Sequence, residues 1–279
     1  MQRWSDSIIK PLKKGLLGDE NYAGPNSSLR PGDALPLAGI CRDLVAVPEE
    51  AWAGYAFSRE PLNGRVGDEL RAELMGRSIA CGREWAERMR ERFGTSSPER
   101  IAEGLGARLD FPERPQSLSR VLFAEFVEPD VIHVFGDGLA KAREAMADPA
   151  VRDALGERLN VRQLLIAHEA FHLVELQNKG QVWTEEYRLD LWGRFPIKNR
   201  ARLVVLSEIA AMAFARELLG LPYSPYVLDV VLTYAYSPEA GTSLYKDALS
   251  YLPAGTLPAG EEGEAEPAED EPAGRDAGR

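Results

Sequence analysis

The chain has 279 residues, 44% of them hydrophobic and 28% charged, with a formal net charge of −11. Such a composition belongs to an ordinary globular protein with room for one medium domain and tails. The acidity argues against nucleic acid as a direct partner, because phosphate contacts need a basic face.

Residues 1–64 are dense in Pro and Gly and weakly periodic, which predicts an irregular N-terminal segment with at most short helices. The opening residues carry no long apolar stretch with a small-residue cleavage site, so no secretory signal is expected. No run reaches the roughly 18 unbroken apolar residues of a membrane span. Cys41 and Cys81 form neither a CxxC pair nor a disulfide framework and suit a reducing compartment. A cytoplasmic location is the expectation.

A folded domain is expected over residues 65–252. Leu70, Leu74, Cys81, Trp85, Met89 and Phe93 recur at steps of four or seven and draw one apolar stripe along a helix at about 67–93. Gly94 can end that helix. Ser97 and Pro98 make an N-cap and first-turn pair for a short helix near 98–105. Three runs of strand character follow, Ala107–Phe111, Val121–Val127 and Val131–Phe135. Glu128, Pro129 and Asp130 form a gap short enough for a hairpin between the last two. Residues 137–147 read as helix, and Asn160 can cap a strong one at 161–177. An aromatic connection over 179–197 leads to a helix at about 198–219, ended by Gly220 and Pro222. One or two more helices lie within 224–251. The expected fold is α+β: mainly helical, with a small three-stranded antiparallel sheet next to the helix at 161–177. Residues 253–279 hold eight acidic and two basic residues and no aromatic, which predicts a disordered acidic tail.

Chemistry concentrates on the helix at 161–177, where His168-Glu169-Ala-Phe-His172 spells HExxH. Positions i and i+4 share a helix face, so both imidazoles can reach one ion. Two of the chain's three histidines stand here, among Leu164, Leu165, Ile166, Phe171, Leu173 and Val174. Burying them without a partner costs free energy, which a metal would offset. The bland alternative is a pair of core histidines satisfied by hydrogen bonds. Glu169 is placed to act as general base on a zinc-bound water.

A third ligand must come from elsewhere. Glu175 stands two turns beyond His168, too far along the axis to close a mononuclear site. Glu208 is a lone carboxylate in the apolar run from Leu203 to Ala215, a placement natural for a ligand. Its alternative role is an ion pair with an arginine such as Arg216. His168, His172 and Glu208 would complete a three-ligand site for one Zn²⁺ with an open position. A di-iron bundle would need a second ExxH, and Ala211 stands where its histidine would be.

The two motifs together, His168-Glu-Ala-Phe-His172 and Ser207-Glu208-Ile-Ala-Ala-Met-Ala-Phe214-Ala215-Arg-Glu-Leu-Leu219, resemble those of the ImmA/IrrE-type metallopeptidases. Ala210 and Met212 stand where that family's pattern has Glu and Asn. The resemblance implies a gluzincin-like site with Glu208 as third ligand. It also implies proteolysis of a regulatory protein, such as a helix-turn-helix repressor.

A peptidase needs a donor toward the developing oxyanion. Tyr187, Arg188 and His133 are candidates, with Tyr187 the first choice; each can equally be a surface or packing residue. The leading expectation is zinc-dependent hydrolysis of a peptide bond in a protein or peptide substrate. The alternative is a metal-stabilised regulatory or binding module without turnover.

Overall fold

The computed structural model describes residues 32–113, 122–194 and 197–257, so most of the acidic tail and the first 31 residues lie outside the described residues. Helices α1 (Leu37–Val45) and α2 (Ala53–Phe57), joined through a 3₁₀ turn at Glu49–Trp52, form where an irregular segment was expected. Anchoring side chains rather than long periodicity decide this segment. Ile40, Cys41 and Leu44 are buried on α1, and Trp52, Tyr55 and Phe57 are wholly enclosed. Trp52 and Tyr55 meet Tyr226 from far along the chain, with ring centroids 5.7 and 5.8 Å away. Such aromatic contacts add to the burial itself. Buried residues of 37–57 share one hydrophobic cluster with the later helices.

Helix α3 (Asp68–Phe93) ends at Gly94, whose φ of 63° is the left-handed cap that the sequence predicts. Helix α4 (Pro98–Gly104) starts on Ser97, whose Oγ accepts from the Arg100 N–H. Strands β1 (Arg108–Asp110), β2 (Ala124–Val127) and β3 (Val131–Val134) form a sheet in the order β1-β3-β2. It is mixed rather than antiparallel: β2 pairs antiparallel with β3, but β1 pairs parallel with β3. The physical reason is connection length. The gap at 128–130 closes the β2–β3 hairpin, whereas the parallel β1–β3 pair is joined through residues 111–130, longer than the dozen or so residues that a parallel pair requires. The middle place thus goes to β3, which leaves one edge of β2 unpaired within the sheet.

Helices α5 (Gly136–Ala145) and α6 (Pro149–Leu155) lead to α7 (Val161–Gln177). Asn160 Oδ1 caps α7 by accepting from the Gln163 N–H at 3.1 Å. One turn, α8 (Trp183–Glu186), precedes a two-stranded hairpin of β4 (Leu189–Arg194) and β5 (Ile197–Ala201). Helix α9 (Val205–Leu219) begins seven residues later than the sequence predicts. The residues from 198 to 201 lack the apolar periodicity of a packed helix. They pair with β4 instead, helped by an Arg200–Asp190 ion pair at 2.8 Å. The helix starts only where Leu203, Val205 and Leu206 become buried. Its first N–H, from Val205, is satisfied by Glu60 Oε2 at 3.2 Å, a cap supplied from the N-terminal segment. Helices α10 (Val227–Tyr236) and α11 (Pro238–Ser250) complete the fold.

Helix α9 packs against α3 on one side and α7 on another, and α7 also touches α4, α5, β2 and β3. Gly82 of α3 permits the tightest of these approaches. A Cβ there would lie 2.1 Å from the Ala210 carbonyl oxygen and 2.9 Å from the Phe214 nitrogen, both backbone atoms of α9. Among the described residues no helix is long and apolar enough to cross a membrane.

Candidate metal centre

Helix α7 is buried on nearly every side, so its polar residues must be satisfied from within the protein. His168 is 1% exposed and Glu169 8%. The helical repeat places His172 one turn beyond His168, and their rings meet edge-on with centroids 5.1 Å apart. The two Nε2 atoms are 3.3 Å apart. From the first turn of α9, Glu208 brings Oε2 to 3.3 Å from His168 Nε2 and Oε1 to 3.7 Å from His172 Nε2. Among the described residues these three are the group able to hold a metal ion.

The spacing can be tested against a tetrahedral ion. Ligand bonds of about 2.0–2.1 Å at tetrahedral angles put ligand atoms about 3.4 Å from one another. The 3.3 Å between the two Nε2 atoms matches that figure, and each nitrogen has its own Glu208 oxygen nearby, Oε2 at 3.3 Å from His168 and Oε1 at 3.7 Å from His172. The donor set of two imidazoles and a carboxylate is also one that zinc accepts with a position left open.

A buried network orients one ligand. His172 Nδ1 faces Glu175 Oε2 at 3.4 Å and Ser207 Oγ at 3.3 Å. Ser207 donates to Glu175 Oε2 at 2.5 Å, and Thr184 donates to Glu175 Oε1. These acceptors favour a proton on Nδ1, so that loss of a proton from His172 would leave Nε2 free to face a metal ion. Burial opposes charge on His172. The hydrogen bond to Glu175 and the negative fields of Glu208 and Glu169 outweigh that burial, and its pKa rises to about 9. His168 Nδ1 is buried without a hydrogen-bond partner.

The three ligands and Glu169 line a cleft of about 360 Å³. Strand β2 lines it through Ala124, Glu125 and Phe126, and the start of α9 through Val204 and Ser207. Its cationic groups are Lys179 and Arg202, the latter ion-paired with Glu185.

Tyr187, the first-choice donor in the sequence, does not line this cleft. It packs against the Trp183 ring at 5.4 Å, and Glu73 and Arg77 of α3 are among its electrostatic neighbours. The single turn of α8 sends Thr184 inward to Glu175, which leaves Tyr187 at the C-cap facing α3. Arg188 donates to the backbone carbonyls of Glu185 and Tyr187. His133 sits on the central strand, with Nδ1 3.1 Å from Asp110 Oδ2, and not on the strand that borders the cleft. Arg216 pairs with Glu49 rather than Glu208, which removes the alternative role for Glu208 as its partner.

Glu175, Ser207, Thr184 and Arg202 went unassigned in the sequence. Only Glu175 carried a local signal: it lies three residues beyond His172, where helical side chains meet. The others are brought in by chain reversals that no local pattern announces. No protein-family model, curated protein or solved structure matches the chain.

Proposed function

We propose that the chain is a zinc-dependent peptidase of the cytoplasm that hydrolyses a peptide bond in a protein or peptide substrate. The observation that carries this reading is the cluster of His168 Nε2, His172 Nε2 and the Glu208 carboxylate, three residues whose ligand atoms lie within 4.8 Å of one another. A zinc ion held by these residues would polarise a carbonyl and acidify a coordinated water. Imidazole and carboxylate also accept Mn²⁺ and Fe²⁺, so metal identity is decided by analysis of the protein.

Glu169 lines the cleft beside both histidines. It takes the proton of the attacking water and returns it to the leaving amine. Strand β2 ends its sheet in the order β1-β3-β2 and lines the cleft, a place from which it could add an extended substrate segment alongside. The resemblance to the ImmA/IrrE-type motifs makes a DNA-binding regulatory protein the first substrate to test.

The test is cleavage of a peptide library by the zinc-loaded chain and by Glu169→Gln. The variant should keep its zinc and lose roughly 10²–10⁴-fold in rate. Equal cleavage by both proteins would contradict the assignment. A cellular effect that survives Glu169→Gln with zinc intact would belong instead to a metal-stabilised binding module.

A further inference from the structure

Arg202 occupies the junction between β5 and α9, six residues before Glu208 and in the same cleft. Its guanidinium is held by Glu185 of α8, across the base of the β4–β5 hairpin. Glu185 lies within electrostatic reach of Glu175, the carboxylate beside His172 Nδ1. Arginine has five N–H donors, and Glu185 is the ion-pair partner that the described residues give it. Its Nε is buried without a hydrogen-bond partner, while the side chain as a whole is 36% exposed. The group is therefore fixed in place, permanently charged and only partly committed. Lys179 is the other cationic residue of the cleft, but it lies beyond the end of α7, seven residues past His172.

We propose that Arg202 is the donor to the oxyanion formed in peptide hydrolysis, the role that Tyr187 cannot fill from its place against α3. The inference rests on the peptidase reading. As a water oxygen bonds to the carbonyl carbon, the water proton passes to Glu169. The C=O π pair becomes charge on the carbonyl oxygen, and an Arg202 N–H donates to it. Collapse then restores C=O, the C–N bond breaks, and Glu169 returns the proton to the leaving amine. A preorganised charged donor at that oxygen acts most strongly where charge develops.

The experiment measures binding of two small probes to the full zinc-loaded chain by calorimetry, with zinc content determined alongside. Phenylphosphonate presents a tetrahedral group of charged oxygens, and acetohydroxamate is a planar metal chelator. Arg202→Gln should weaken phenylphosphonate roughly 10- to 100-fold, as loss of a charged hydrogen bond does, and leave acetohydroxamate and zinc content unchanged. Glu185→Gln releases the guanidinium from its clasp without removing it, and should weaken phenylphosphonate less than Arg202→Gln does, with acetohydroxamate and zinc content unchanged. Unchanged phosphonate affinity in Arg202→Gln, with zinc retained, would overturn the inference alone. Equal weakening of both probes in both variants would also overturn it, by reducing Arg202 to a clasp for the hairpin. A wild-type chain that takes up no zinc would remove the peptidase reading itself.

Discussion

Three residues beyond His172, Glu175 commits both carboxylate oxygens inside the protein, one to Thr184 and the other to Ser207 and His172. Such a carboxylate fixes the tautomer and orientation of the imidazole it holds. Glu175→Ala should therefore weaken zinc binding about 10- to 100-fold without removing any ligand. Competition with a zinc chelator measures this, and wild-type affinity in the variant would contradict the role. The same surroundings raise the His172 pKa from 6.5 to about 9 in the metal-free protein. The sign comes from linkage: protonation of His172 stabilises the metal-free fold fully below pH 6.5, and this contribution is lost as pH rises through about 9. Zinc needs the neutral ring, so its binding near pH 7.5 should release close to one proton. Calorimetry in buffers of different ionisation enthalpy reads that number directly, and a value of zero would contradict it. At this scale the sequence was informative where chemistry was local or anomalous. HExxH is one helical turn, and Glu208 is a charge in an otherwise apolar run. Ser207 and Arg202 carry no such anomaly, because a serine or arginine near a helix start is ordinary.

The elements that hold these residues were legible in proportion to how local their causes are. Helix α3 ends, and helices α4 and α7 begin, on capping signals that sit in the sequence itself. The hairpin of β4 and β5 was missed, and α9 was drawn too long, because pairing with β4 rather than local propensity decides residues 197–201. The order of the first sheet was likewise not local, since it depends on where the 111–123 connection takes the chain. Between helices, Gly82 is the sharpest determinant of how closely α9 approaches α3. Glu208 lies only two residues before Ala210, the contact of Gly82. Gly82→Ala should force the helices apart, at a cost of about 1–3 kcal/mol for overpacking, and should weaken zinc binding by moving Glu208. Urea denaturation and zinc titration of the variant check both parts. Wild-type stability would mean that the α3–α9 approach does not set the site.

At the scale of the whole chain, the metal centre draws on segments far apart in sequence. Helix α7 gives both histidines, α9 gives the carboxylate, and the N-terminal segment supports α9 through Glu60 at its start and Glu49 on Arg216. The short helices of the Pro- and Gly-rich opening agree with its weak periodicity, but their burial depends on partners such as Tyr226 that no local window contains. The acidic balance that the composition records also recurs in the cleft, where Glu169, Glu175 and Glu208 surround the two histidines and only Lys179 and Arg202 oppose them. A divalent cation is the natural complement to such a concentration of negative charge. The most direct measurement is the zinc content of the purified full chain beside Glu208→Ala. The account predicts close to one zinc per chain in the wild type, lost or strongly weakened in the variant. No zinc in the wild type after supplementation, or full occupancy without Glu208, would contradict it.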